Sequence, residues 1–155
     1  MKKIFLLFTA AALSAGMVFA QDINQATENY NNGAMELNMG NNDAAITYFQ
    51  TALEMAEALG EEGAEVAANC RNIIPAIYLS SAKEQIKAEN YDAAVEQLNK
   101  AIEAAGKYEN PEVADDANAL MPQVYLSKGN GFLQAKNFPE AEVAYQKAIE
   151  LDATN

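Results

Sequence analysis

The sequence contains no histidine and no tryptophan, and it has one cysteine and four prolines in 155 residues. Without histidine there is no imidazole to act as a general base, to complete a serine or cysteine triad, or to bind a metal. Neither a glycine-rich phosphate loop nor a Cys-x-x-Cys pair occurs. The sequence therefore predicts a protein that is not an enzyme and that holds no metal and no cofactor.

The single cysteine, Cys70, cannot form an internal disulfide. A shift of 47 residues places Cys70 opposite Ala117, in a context that is otherwise similar. Free cysteine is among the most buried residue types. We therefore expect Cys70 to be a small buried helical residue and not a reactive thiol.

The N-terminus has the features of a cleavable secretory signal. Two lysines precede an apolar run over residues 4–15, and small side chains follow at Val18 and Ala20. The alternative, an uncleaved anchor, would need roughly 20 apolar residues to cross a bilayer. The sequence predicts a signal peptide over residues 1–20, cleaved after Ala20. It also predicts an exported chain from Gln21 onwards, periplasmic or secreted, with no membrane insertion after signal removal.

Acidic residues dominate the composition. The chain has 10 Lys+Arg against 22 Asp+Glu, a net charge of −12, and loss of the two lysines of the signal would change this to −14. Nucleic acid and anionic membrane surfaces are poor partners for such a chain. Neither is expected to bind.

Three degenerate copies of one pattern occur, at residues 41–54, 90–103 and 137–150. A 47-residue shift superimposes the second repeat on the third, including Pro75 on Pro122. The first copy lies 49 residues before the second. Self-similarity of this kind indicates a repeat architecture. We place the repeats at about 26–59, 64–106 and 111–155, within one domain over residues 21–155.

Within each repeat the apolar residues step at helical spacing, so each repeat is predicted to be a helical hairpin. Breaks are expected at residues 40–42, 60–63, 89–90 and 106–111, where glycine, asparagine and proline cluster. The apolar pattern continues through Pro75. It predicts a long first helix in the second repeat, kinked or briefly broken at that proline.

The repeats resemble the tetratricopeptide repeat family. The family's small–large–small spacing on the second helix occurs as Ala45, Phe49, Ala52; as Ala94, Leu98, Ala101; and as Ala141, Tyr145, Ala148. Its small residue at the close crossing of the first helix matches Gly33, Ala82 and Gly129, and its early aromatic matches Tyr78 and Tyr125. The resemblance implies an all-α fold of stacked helix-turn-helix hairpins that form a right-handed solenoid.

The chain departs from the family pattern at several positions. Asn29 replaces the early aromatic of the first repeat, and Asn32, Ser81 and Lys128 stand where the family usually has leucine. The closing proline of the family is absent from all three repeats. The departures affect the expected pitch of the superhelix and leave the fold class unchanged.

The resemblance also implies a partner-binding surface. Members of the family bind protein or peptide partners in a concave groove lined by the inner face of each first helix. Carried over to this sequence, the candidate partner-binding residues are Tyr30, Leu37, Asn38, Leu79, Lys83, Lys87, Asn130 and Gln134. An aromatic at Tyr30 and two nearby lysines, Lys83 and Lys87, are the expected anchors. A solvated helix face without a ligand remains the alternative.

A second functional hypothesis is a structural or assembly element. Stacked repeats need a polar terminal helix to cover the last apolar surface. We expect Phe132, Leu133, Val143 and Ile149 to be only partly covered in the third repeat. The chain would then be either part of a longer array or a protein that self-associates through this repeat.

Overall fold

The helical periodicity of the sequence is realised as six α-helices. A computed structural model describes residues 12–152, with side chains described from Ile23 onwards; residues 1–11 of the predicted signal lie outside this range. The helices are α1 Ala12–Asn38, α2 Asn42–Ala58, α3 Ala64–Lys87, α4 Tyr91–Lys107, α5 Pro111–Gln134 and α6 Phe138–Asp152. The prediction of an all-α chain of helical hairpins is confirmed. None of the helices over residues 12–152 is both long enough and apolar enough to cross a membrane.

The described residues form two compact units that divide after Cys70. The N-terminal unit contains the first hairpin, in which α1 packs against α2. The C-terminal unit begins within α3 and contains α4, α5 and α6. In this unit α5 packs against both α4 and α6.

The turn inside each hairpin has the same backbone conformation. Gly40, Glu89 and Lys136 occupy equivalent positions and have positive φ angles of 81°, 61° and 59°. The next residue is asparagine in each case, and its backbone N–H donates to the carbonyl five residues earlier at 2.8–2.9 Å. This hydrogen bond is the closing bond of a Schellman motif, which satisfies the last carbonyls of the first helix and stops it.

Two prolines lie inside helices, and neither interrupts them. Pro75 is within α3 and Pro122 is within α5. The long first helix expected in the second repeat is present, because α3 continues from Ala64 through Pro75 to Lys87; of the two alternatives at Pro75, a kink or a brief break, the break does not occur. Pro75 is one of the most deeply buried side chains of the chain. Its packing offsets part of the cost of the backbone hydrogen bond that proline cannot make.

Alanines at the helix crossings form much of the core. Each alanine of the small–large–small pattern is buried in all three second helices, together with Phe49 and Leu98. In the C-terminal unit one buried cluster joins α3, α4 and α5, and Tyr78 and Tyr125 pack partly buried against it. Small side chains let the helix backbones approach closely, as the sequence predicts.

Candidate interaction surfaces

The inner-face residues of the first hairpin differ in accessibility. Asn38 is exposed, and Leu37 and Tyr30 are half-buried. The Tyr30 ring meets the Phe49 ring edge-on, with centroids 5.3 Å apart and planes at 65°. Tyr30 therefore packs against the core of its own hairpin through Phe49 and remains partly accessible.

In the C-terminal unit most of the inner-face candidates are exposed. Lys83, Lys87, Asn130 and Gln134 all have accessible side chains. Lys83 Nζ lies 3.6 Å from Asp116 Oδ2, an exposed ion pair worth little in stability. Asn130 Oδ1 accepts a hydrogen bond of 2.8 Å from the Tyr145 hydroxyl. A partner would have to compete with Asp116 for Lys83.

Leu79 is an exception among the candidates and requires a correction. It is only 6% exposed and belongs to the buried cluster of the C-terminal unit. Its equivalent in the third hairpin, Leu126, is 51% exposed. The difference arises because α5 packs beside the second hairpin and contributes Met121 and Val124 to the cluster that contains Leu79. Sequence reasoning missed this, because the repeat pattern alone does not say which neighbour covers a position.

The same comparison reveals an apolar surface on the third hairpin, which we call the end face. It consists of Leu126, Leu133, Phe138 and Ile149, which are 51%, 48%, 61% and 68% exposed. Their equivalents in the second hairpin, 47 residues earlier, are Leu79, Ile86, Tyr91 and Ile102. All four equivalents pack in or against the buried cluster. The expectation that Leu133 and Ile149 are incompletely covered is confirmed.

A second surface of the third hairpin is a groove along α5 and α6, which we call the α5–α6 groove. It has a volume of about 650 Å³. Its lining residues are Tyr125, Lys128, Phe132, Pro139, Glu140, Val143, Ala144, Gln146, Lys147 and Glu150. Val143 is 67% exposed and Phe132 is half-buried, as expected from the sequence. A second cavity, of about 500 Å³, adjoins it at Lys128 and Phe132 and is bounded by residues 89–93.

Lys128 lines both cavities, and its charge is engaged by an acidic and an aromatic side chain. Its ammonium group forms an ion pair with Asp92 at the start of α4 and lies 5.7 Å from the centroid of the Phe132 ring. On the other wall Lys147 Nζ lies 3.2 Å from Glu150 Oε2. Both lysines of the groove are thus already paired with carboxylates.

Two titratable side chains, Cys70 and Glu96, have shifted pKa values. Burial raises the pKa of the Cys70 thiol to about 11, so almost none of it is thiolate at neutral pH. A hydrogen bond from Lys100 and the charge of that ammonium lower the pKa of the exposed Glu96 carboxyl. In residues 12–152 no three side chains among histidine, cysteine, aspartate and glutamate come together as a metal site would require.

Comparison with protein families identifies the class to which this architecture belongs. A family model of the tetratricopeptide repeat matches residues 29–59, 75–108 and 122–155. The chain therefore belongs to the tetratricopeptide repeat family, whose members generally mediate protein–protein interactions and are typically non-catalytic scaffolds. The search of curated proteins gave no significant match.

Proposed function

We propose that this protein is a non-catalytic protein-interaction scaffold, exported to the bacterial cell envelope, that binds through the end face of its third hairpin. The observation that carries the proposal is the exposure of four apolar side chains whose equivalents in the second hairpin are covered. Two of them, Leu126 and Ile149, border the same cavity, and exposed apolar patches are typical of interaction sites. Membership in the tetratricopeptide repeat family supports a protein as the partner.

The occupant we propose for the end face is a second copy of this chain. In α5 the residues that join the cluster with α4 are Ala117, Met121 and Val124. The positions equivalent to Met121 and Val124 in α1 are Gln25 and Glu28, both polar. A head-to-tail stack of α1 on the end face would therefore bury polar groups without partners, which is costly. Pairing of two end faces about a two-fold axis instead buries apolar surface on both sides.

A second route is binding of a protein or peptide partner by the inner faces of the first helices. The exposed side chains of Lys87, Asn130 and Gln134 favour it. Tyr30 would be the anchor on the first hairpin and Lys83 the anchor on the second, because an accessible aromatic and a cation on an acidic protein are the strongest local contributors. The end face includes Leu126 and Leu133, the equivalents of the inner-face candidates Leu79 and Leu37. It does not include Tyr30 or Lys83, so mutation of these two side chains separates the two routes.

The proposal is tested by sedimentation equilibrium of the purified protein at micromolar concentration. We expect a monomer–dimer equilibrium whose dissociation constant rises at least tenfold in Ile149→Glu, because a carboxylate would be buried without a partner. Added salt should strengthen the wild-type dimer, because it screens the repulsion between two acidic chains.

Two control variants locate the interface. Val143→Glu places the same charge on another side of α6, and Tyr30→Ala with Lys83→Glu alters the inner faces. Both should dimerise like the wild type. A wild-type protein that stays monomeric, or an Ile149→Glu variant that dimerises normally, contradicts pairing through the end face.

A further inference from the structure

The α5–α6 groove is a surface separate from the end face. Val143 lines the groove, whereas Ile149 borders a different cavity, of about 280 Å³, beside Pro122 and Leu126. At about 100° per residue, Val143 and Ile149 point roughly 120° apart around α6. Dimerisation through the end face therefore does not account for the apolar lining of the groove.

The internal repeats show that the fold does not require this apolar lining. Three groove positions of the third hairpin are apolar, and their equivalents in both other hairpins are polar. The sets are Phe132 with Gln85 and Glu36; Pro139 with Asp92 and Asp43; and Val143 with Glu96 and Thr47. The second and first hairpins form the same helices with charged or polar residues at these positions. The apolar residues are thus specific to the third hairpin.

One of these replacements removes a hydrogen bond that the other hairpins make. In the first hairpin Asn41 Nδ2 donates to Glu36 Oε2 at 2.7 Å. In the second hairpin Asn90 Nδ2 donates to Gln85 Oε1 at 3.0 Å. Phe132 has no acceptor to offer at this position. At this position the third hairpin has an aromatic side chain that lines the groove. The other two hairpins have a side-chain hydrogen bond there that stabilises the turn.

Charged side chains line both the α5–α6 groove and the cavity that adjoins it. The two cavities that share Lys128 are lined by two lysines and by four acidic residues. Lys128 and Lys147 already pair with Asp92 and Glu150. Glu140 in the groove and Glu89 in the adjoining cavity are therefore additional negative charges. The whole chain, with a net charge of −12, adds to this field. The groove therefore matches a ligand that is apolar on one side and basic at its edges.

We propose that the α5–α6 groove, together with the adjoining cavity, binds an amphipathic segment of a partner protein, with apolar side chains against Phe132 and Val143 and lysine or arginine against Glu140 and Glu89. The volume of about 650 Å³ lies within the range typical of ligand-binding pockets. Asp92 and the Phe132 ring hold the Lys128 side chain in place, so this part of the groove is formed before a partner binds. Preformed surfaces bind with a smaller entropic cost.

The test uses a fluorescein-labelled synthetic helical peptide with leucines on one face and lysines at its flanks, titrated with the purified protein by fluorescence anisotropy. We expect saturable binding that weakens at least tenfold in Val143→Glu and in Phe132→Gln. Each variant introduces the residue that the second hairpin has at the equivalent position. Ile149→Glu is the matched control on α6 and should bind the peptide like the wild type.

The charge of the Val143→Glu variant distinguishes the groove from diffuse attraction between a basic peptide and an acidic protein. Diffuse attraction would become stronger with one more carboxylate, whereas occupation of the groove becomes weaker because an apolar contact is lost. A peptide with glutamate flanks in place of lysine should bind at least tenfold more weakly. Equal or tighter binding by Val143→Glu overturns the proposal.

A measurement on the wild-type protein keeps the test independent of the folding of any variant. Peptide addition should shift the backbone amide resonances of Phe132, Val143 and Ala144 and leave those of Leu126 and Ile149 unchanged. No saturable binding, or shifts confined to Leu126 and Ile149, contradicts the groove site. If the wild-type protein binds the peptide but does not dimerise, the result contradicts only the proposed pairing through the end face and leaves the groove site supported.

Discussion

At the scale of single residues, the crossing of the two helices in each hairpin is governed by matched side-chain sizes. An added Cβ at Gly33 would lie 3.0 Å from Phe49 Cε1, and one at Gly129 would lie 2.6 Å from Tyr145 Cε1. In the second hairpin the equivalent pair is Ala82 and Leu98, both fully buried. Glycine thus occurs opposite an aromatic ring, and alanine occurs opposite the smaller leucine, because the space at the crossing is shared.

This matching predicts the effect of Gly129→Ala. The substitution should lower the free energy of unfolding by roughly 1–3 kcal/mol, since the added methyl overlaps the Tyr145 ring. Gly131→Ala, two residues away in α5 with open space around it, should raise it by about 0.5–1 kcal/mol. Urea unfolding measures both.

Adding Tyr145→Leu to Gly129→Ala should recover part of the loss, because the pair then matches Ala82 and Leu98. Simple additivity of the two substitutions would show that the crossing is not limited by volume.

At the scale of elements, the turns show that conformation can be conserved between repeats while the residue type changes. The left-handed position holds glycine only in the first hairpin, and glutamate and lysine occupy it in the others. A non-glycine residue pays roughly 1–2 kcal/mol in this region of φ and ψ. The Schellman hydrogen bonds of the turn, at 2.8–3.1 Å, hold the backbone there nonetheless.

The prediction at this scale is that Lys136→Gly stabilises the chain by about 1 kcal/mol, because glycine adopts positive φ without the steric cost. Glu89→Gly should act in the same direction. Gly40→Ala is the reciprocal control and should destabilise. Thermal unfolding followed by circular dichroism reports all three, and a lower melting temperature for Lys136→Gly would be inconsistent with a strained turn.

At the scale of the whole molecule, the proposals require that the chain is exported. They also require that it dimerises through the end face and binds a partner in the α5–α6 groove. Helix α1 begins at Ala12 and runs to Asn38, and so it spans the proposed cleavage site after Ala20. Cleavage there would shorten α1 at its N-terminal end and leave Gln25, Glu28 and all of the described side chains in the mature protein. The end face and the α5–α6 groove are far along the chain from this site.

We predict that the exported protein has the mass of residues 21–155, or that mass less ammonia if Gln21 cyclises. Intact-mass spectrometry of protein from the periplasmic fraction or the medium measures it. An Ala20→Pro variant, altered next to the scissile bond, should accumulate as the uncleaved chain. Recovery of residues 1–155 from the wild type in a membrane-bound form would contradict cleavage.

The sequence by itself determined the class of the fold, the number of hairpins and four of the five breaks between the described helices; the break between Gln134 and Phe138 was not among those expected. These properties depend on local spacing and turn chemistry, which a pattern of alanines, glycines and asparagines records directly. The alanine crossings and the buried Cys70 followed from the same pattern.

Only the tertiary structure decided which apolar residues are covered and which are available. Leu79 and Leu126 have the same residue type and the same repeat position, yet one is buried and the other is exposed, because α5 packs beside the second hairpin. The α5–α6 groove likewise depends on side chains from two helices meeting, although its polar-to-apolar replacements were visible in the aligned repeats. Burial is set by neighbours that are distant in sequence, and a local pattern contains no information about them.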